Sequence, residues 1–222
     1  MILPYDNDYQ ETKQILLGLS EMKPEFRPLA DWVDETFGVK TINIVYDTIE
    51  EGTRPRLELC FEFEEERNPF YGDEWKNFDG GKQKAIASKF KDTLEDQGLY
   101  GQPYRTENIW IIYGAFEPIA RIEANQAVRQ EELDDLQLRL NNKDLWLIRT
   151  AFSGVTFFLH TDKQVKHYEK SPLKKEWADR YFDLLEPYNE FAYFKRETFD
   201  IYLDSKENFD KNYAGNWFYY YQ

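Results

Sequence analysis

Alternation of apolar and polar positions is sharpest over residues 57–64. Leu57, Leu59, Phe61 and Phe63 point one way, while Glu58, Cys60, Glu62 and Glu64 point the other. A period of two predicts a strand with one buried face and one acidic, solvated face, as antiparallel sheets allow. Further strands are predicted over 41–48, 108–114, 144–150, 155–160, 194–203 and 217–221. Helical spacing predicts a segment over 6–22 through Ile15, Leu16, Leu19 and Met22. A second helix carries Phe26, Leu29, Ala30, Val33 and Phe37, and Gly38 stands where a left-handed C-terminal residue is wanted. Ile86, Phe90 and Leu94 place another helix over 82–97. Ser171-Pro172 opens one over 172–187, with a hydroxyl cap, proline at the first position, and a stripe of Leu173, Trp177, Tyr181, Leu184 and Leu185.

Residues 40–115 and 144–221 follow one plan of two strands, an amphipathic helix and strands again. The class is therefore α+β, with mixed or mostly antiparallel sheets packed with helices. Two similar ββαβ halves are predicted: residues 1–117 with a helical hairpin in front, and residues 143–222. The connector, 118–142, has no glycine or proline after Pro118 and reads as one long helix, or as two with a break near 125–130. With no linker-like segment between them, the halves are expected to pack as one unit. Divergent duplication and ordinary α+β alternation both account for the pattern. Residues 66–81 form a long loop carrying Phe70, Tyr71, Trp75 and Phe78, as a flap over the core or as a recognition surface.

Aromatic residues make up 18% of the 222 positions, which implies a folded core. The single cysteine excludes an internal disulfide framework and a multi-cysteine zinc site. Met1 to Asp6 lack a basic and an apolar signal region, and no apolar run approaches the ~18 residues a bilayer requires. A soluble, cytoplasmic protein without membrane association is expected. Forty-two acidic against 28 basic residues, a net charge of −14, disfavour nucleic acid and favour a basic protein partner.

Candidate chemistry is sparse. A turn centred on Lys163-Gln164 would set His160 opposite His167 across a hairpin, near Asp162 or Glu169. Such a pair is a weak metal candidate, since metal-free surface histidines are the commoner arrangement. Cys60 lies between Glu58 and Glu62, whose charge raises a thiol pKa, so a structural role is expected. The acidic runs are consecutive and supply surface charge rather than an acid–base pair. Asp79 reads as a helix cap ahead of Gly80-Gly81 and would repel phosphate. No short catalytic motif is present, no cofactor is implied, and an enzyme is the less favoured reading.

In a terminal strand, Trp217, Tyr219 and Tyr221 would share one face, open for interaction or covered as core. The favoured function is a binding domain that docks onto a basic partner. Its candidate contacts are Glu58, Glu62, Glu64, Asp134, Asp135, Trp217, Tyr219 and Tyr221. In composition alone the chain is similar to bacterial immunity proteins that neutralise nuclease toxins, which implies an inhibitory role. The alternative is an enzyme or small-ligand protein with a site between the halves, lined by the 66–81 aromatics and His160 or His167. A third reading pairs two copies through an exposed edge strand near the C-terminus.

Overall fold

The computed structural model describes residues 3–72, 77–101 and 103–222, so the expectations placed on Met1, Ile2 and Trp75 lie outside the described residues. The fold is α+β, and the chain divides into two compact units, Met1–Ile119 and Ala120–Gln222. Unit 1 contains α1 (Asn7–Leu16), α2 (Arg27–Phe37), β1 (Thr41–Ile49), β2 (Arg54–Phe61), α3 (Glu64–Arg67), α4 (Gly80–Asp96) and β3 (Trp110–Ala115). The boundary falls inside α5 (Phe116–Ala127). Unit 2 continues with α6 (Gln130–Leu140), β4 (Leu145–Ala151), β5 (Gly154–Leu159), α7 (Asp162–Tyr168), α8 (Pro172–Leu185), β6 (Tyr202–Ser205), α9 (Lys206–Tyr213) and α10 (Trp217–Tyr220).

Each unit builds a three-stranded sheet of the same topology. An antiparallel hairpin comes first, and the third strand then pairs parallel with the second strand of that hairpin. Parallel pairing requires a crossover, supplied by the helices between the second and third strands. Both hairpins also carry a register shift at the start of their first strand, between Thr41 and Asn43 and between Leu145 and Leu147.

Local chemistry explains the helix boundaries. Gly38 closes α2 in the left-handed region, at φ 69°. The Asp79 carboxylate accepts from the N–H groups of Gly81 (2.7 Å) and Lys82 (3.0 Å), capping α4. Ser171 accepts from Leu173 N–H at 3.2 Å and Pro172 opens α8. In unit 1, Leu57, Leu59 and Phe61 pack against Leu29 and Val33 of α2 and Ile86 and Phe90 of α4. Phe70 stacks on Phe61 (5.0 Å) and Tyr113 (4.4 Å), and Phe78 meets Tyr113 edge-on at 4.8 Å. The described aromatics of the 66–81 segment thus cover the core. In unit 2, Phe157 stacks on Trp177 at 5.6 Å, within a core built from β4, β5, α6 and α8.

Several expectations are corrected. The second face of β2 is not solvated: Glu58 is 1% exposed and Cys60 is fully buried. β2 is the central strand, and α1 covers that face. Tyr9 of α1 stacks on Phe116 at 4.8 Å, and the Thr12 hydroxyl accepts from the Asn43 amide at 3.3 Å. Accordingly α1 stops at Leu16 and buries Tyr9 and Thr12 instead of a stripe running to Met22. The connector takes the second of its two expected forms, two helices, interrupted at Val128-Arg129.

The histidine hairpin does not form. Thr161 and Gln164 make a reciprocal capping box that starts α7, which leaves His160 at the end of β5 and His167 within the helix. Strand pairing near 194–203 is confined to Tyr202–Ser205, and the turn expected after it is α9. Residues 217–220 are helical. Asn216 caps them by accepting from Phe218 N–H at 2.9 Å. A strand would have split the rings between two faces; the helix gathers Trp217 and Tyr220 against Phe158 (5.3 and 5.4 Å) and Phe209 (4.1 and 5.9 Å). Among the described residues no helix is long and apolar enough to cross a membrane.

Burial, reinforced by the neighbouring Asp8 carboxyl, raises the pKa of Glu58 above its ordinary 4.5. The folded chain therefore holds this proton more tightly than the unfolded chain does. As pH rises from 4.5 through the folded value, the unfolded state ionises first and unit 1 loses stability. Glu58→Gln removes that loss, so in urea denaturation its advantage over the native chain should be larger at neutral pH than at acidic pH. An advantage that is flat with pH contradicts the assignment.

Candidate functional site

α6 starts where Arg129, still extended, donates its backbone N–H to the Glu132 carboxylate at 2.9 Å. That hydrogen bond and the Arg129 side chain hold the Glu132 pKa below the usual carboxylate value. Leu133 and Leu136 turn inward onto the unit 2 core. On the opposite side, Glu131, Asp134, Asp135 and Leu138 recur at the spacing of one helical face, and all four are exposed, Leu138 by 75%.

Glu131 sits in the first turn, where a negative charge complements the helix dipole. Asp134 and Asp135 lie beyond that turn, where aspartate costs up to about 0.7 kcal/mol of helix propensity relative to alanine. No ion pair reaches any of the three carboxylates among the described residues; Asp134 accepts only from the Gln130 amide, at 2.8 Å. Some helical acids have partners four residues away, as in Lys91–Glu95 (3.6 Å) and Lys175–Asp179 (3.0 Å), whereas Asp31 and Glu35 of α2 are exposed and, like the α6 acids, have no ion pair among the described residues. The face of α6 is therefore a locally uncompensated acidic stripe ending in an exposed leucine.

The other expected contacts do not join one surface. Glu58 is interior, and Glu62 is half-buried at the end of β2. Glu64 is exposed and paired with Arg67. Trp217 and Tyr221 are half-buried beside the outer face of the unit 2 sheet, whereas Tyr219 is exposed. His160 donates its backbone N–H to Asp144 O at 3.1 Å, and His167 packs on Tyr168. Among the described residues no group of three or more histidine, cysteine, aspartate or glutamate side chains could hold a metal.

Sequence reasoning missed a cleft of about 740 Å³ in unit 2. Its rim carries Phe152 and Tyr202, 65% and 69% exposed. Phe152 is the first residue of the two-residue turn between β4 and β5, at φ 50°, a position that ordinarily takes glycine. Asn125 holds the turn, donating from its amide to the carbonyls of Phe152 (2.9 Å) and Gly154 (2.8 Å). The Tyr181 hydroxyl in turn donates to the Asn125 side-chain oxygen at 2.5 Å. Gly154 lets the Tyr202 ring lie close, since a Cβ there would stand 3.0 Å from it. An aromatic residue inside a turn was the one available signal. Asn125 looked like part of a polar helix break, yet it is buried.

Asn125→Ala leaves the buried Tyr181 hydroxyl and two turn carbonyls without their partner. It should lower stability by about 2–4 kcal/mol in urea denaturation. Phe152→Gly relieves the strained φ at an exposed position and should stay within about 1 kcal/mol of the native chain. The reverse ranking would show that the turn is not held through Asn125.

No protein-family model matches the chain, and comparison with curated proteins and with solved structures found no match.

Proposed function

We propose that the chain is a protein-binding domain that docks onto a basic protein through the outer face of α6, in the manner of an inhibitor or immunity-type protein. The observation that carries this reading is the stripe of Glu131, Asp134 and Asp135, three exposed carboxylates without an ion pair among the described residues, next to an exposed Leu138. A stripe of this kind suits a partner that brings lysine or arginine around an apolar contact. Net charge −14 adds long-range attraction that speeds encounter with such a partner. Helix stability does not require the two mid-helix aspartates, so their presence is better explained by what they face.

Glu58 is left out of the docking surface because it is buried, and Glu64 because Arg67 already neutralises it. Cytoplasmic residence belongs to the same proposal, since an intracellular inhibitor meets its target there.

The test is capture of basic proteins from source-cell lysate on the immobilised chain, run beside a triple variant, Glu131→Gln, Asp134→Asn and Asp135→Asn. A specific partner should bind at about 0.05 M salt, weaken at least tenfold by about 0.5 M, and be lost in the variant. These positions are exposed, so the variant should fold normally. A partner held equally by the native chain and the variant, or equally at both salt concentrations, would place the interface elsewhere.

A further inference from the structure

Two aromatic rings stand in solvent on the rim of the unit 2 cleft, and each has its own support. Phe152 is 65% exposed in the turn between β4 and β5, at φ 50°. A side chain in that backbone region persists only where its surroundings fix it. The fixing group is the buried Asn125 of α5. Its amide donates to the Phe152 and Gly154 carbonyls, and its oxygen accepts from the Tyr181 hydroxyl. Tyr202, 69% exposed, opens β6 in register with Thr156, and its ring lies against Gly154, where a Cβ would come within 3.0 Å.

Single exposed rings are ordinary on a protein surface. These two line one cleft of about 740 Å³, whereas Phe218, equally exposed, does not. Rings fixed in advance offer stacking area without the entropy loss that loose side chains suffer on binding. The volume lies within the range of small-molecule sites.

The walls select among ligands. Arg121, Lys174 and Lys195 line the cleft together with Glu169 and Asp200, and Lys174 engages both carboxylates at 3.0 Å. Arg121 donates to the Tyr193 carbonyl at 2.9 Å and lies over the Phe194 ring. Ser153 and Thr156 also line the cleft, and neither hydroxyl has a hydrogen-bond partner among the described residues. A charged ligand meets little excess of opposite charge here. A hydrocarbon ring would take water from the polar groups without replacing its hydrogen bonds. A neutral ring with an apolar face and a hydroxylated edge satisfies both conditions, since each hydroxyl donates and accepts. A pyranose has that form: its axial C–H groups make an apolar face, and its hydroxyls project around the edge.

We propose that unit 2 binds a neutral pyranose sugar in this cleft, its C–H face against Tyr202 and Phe152 and its hydroxyls bonded to Ser153, Thr156 and the Lys174–Asp200 pair. This site is separate from the docking face of α6 and stands whether or not that reading holds.

Isothermal titration of the full chain with the methyl glycosides of glucose, galactose, mannose and N-acetylglucosamine tests it, beside the planar aromatic benzamide. Saturable binding of at least one glycoside is expected, and tighter than that of benzamide. Phe152→Gly removes one ring while relieving the strained φ, and Tyr202→Ser removes the other at an exposed position. Each should weaken glycoside binding about 5–10-fold. Phe218→Ser, outside the cleft, should leave it unchanged. Should Tyr202→Ser fail to fold, Phe152→Gly alone decides the matter. No saturable binding of any glycoside up to about 50 mM overturns the proposal. So does benzamide bound as tightly as the best glycoside, or affinity unchanged by the ring deletions.

Discussion

In a three-stranded sheet the central strand has a neighbour on each edge, and here it also needs cover on both faces. β2 and β5 are those strands, and nearly all of their residues are buried. A hairpin alone could have left one face in water. Adding a parallel third strand commits the chain to a crossover helix on one face, and a further helix then closes the other. The layered arrangement in both units follows from this. Helices after the first hairpin strand pair fill the crossover side, and α1 in unit 1 and α9 with α10 in unit 2 cover the opposite side.

The two units meet that requirement with different chemistry. Unit 1 covers its second face with polar groups beside the Tyr9–Phe116 stack: Asn43 bonded to Thr12, Glu58 among them, and Arg56 clamped by Asp47 and Asp8. Burial drives the Cys60 thiol well above its ordinary pKa, so that side chain is inert packing. Unit 2 uses aromatic stacking instead, and the cations there rest on rings, Arg149 on Trp217 and Lys206 on Trp146. A polar layer must be satisfied within the protein, whereas an aromatic layer can stop partway and leave an edge. The cleft of unit 2 opens at such an edge.

Much of the fold was legible because its signals are short-range. Gly38, Asp79 and Ser171-Pro172 mark helix ends through contacts within four residues, and the structure uses each as expected. Strand periodicity at 57–61 identified the correct inward set, Leu57, Leu59 and Phe61. The same alternation misjudged Glu58 and Cys60. Alternation states that two faces differ; it does not state that the second is wet. Asn125 misled for a related reason, since a polar residue held by two carbonyls and a tyrosine hydroxyl looks, in one dimension, like a surface residue. Of the candidate contacts, Asp134 and Asp135 kept their exposed place because helical spacing alone sets them on the side away from Leu133 and Leu136.

The sequence by itself determined the α+β class, most helix and strand positions, the acidic balance and the outward acidic face of α6, because composition and periodicity act locally. Tertiary structure decided the second face of β2, the separation of the two histidines, the helical end at 217–220 and the cleft lined by Phe152, Thr156 and Tyr202. Each of these depends on segments tens of residues apart being brought together, and the free energy of burying such contacts is written in no single window of the chain.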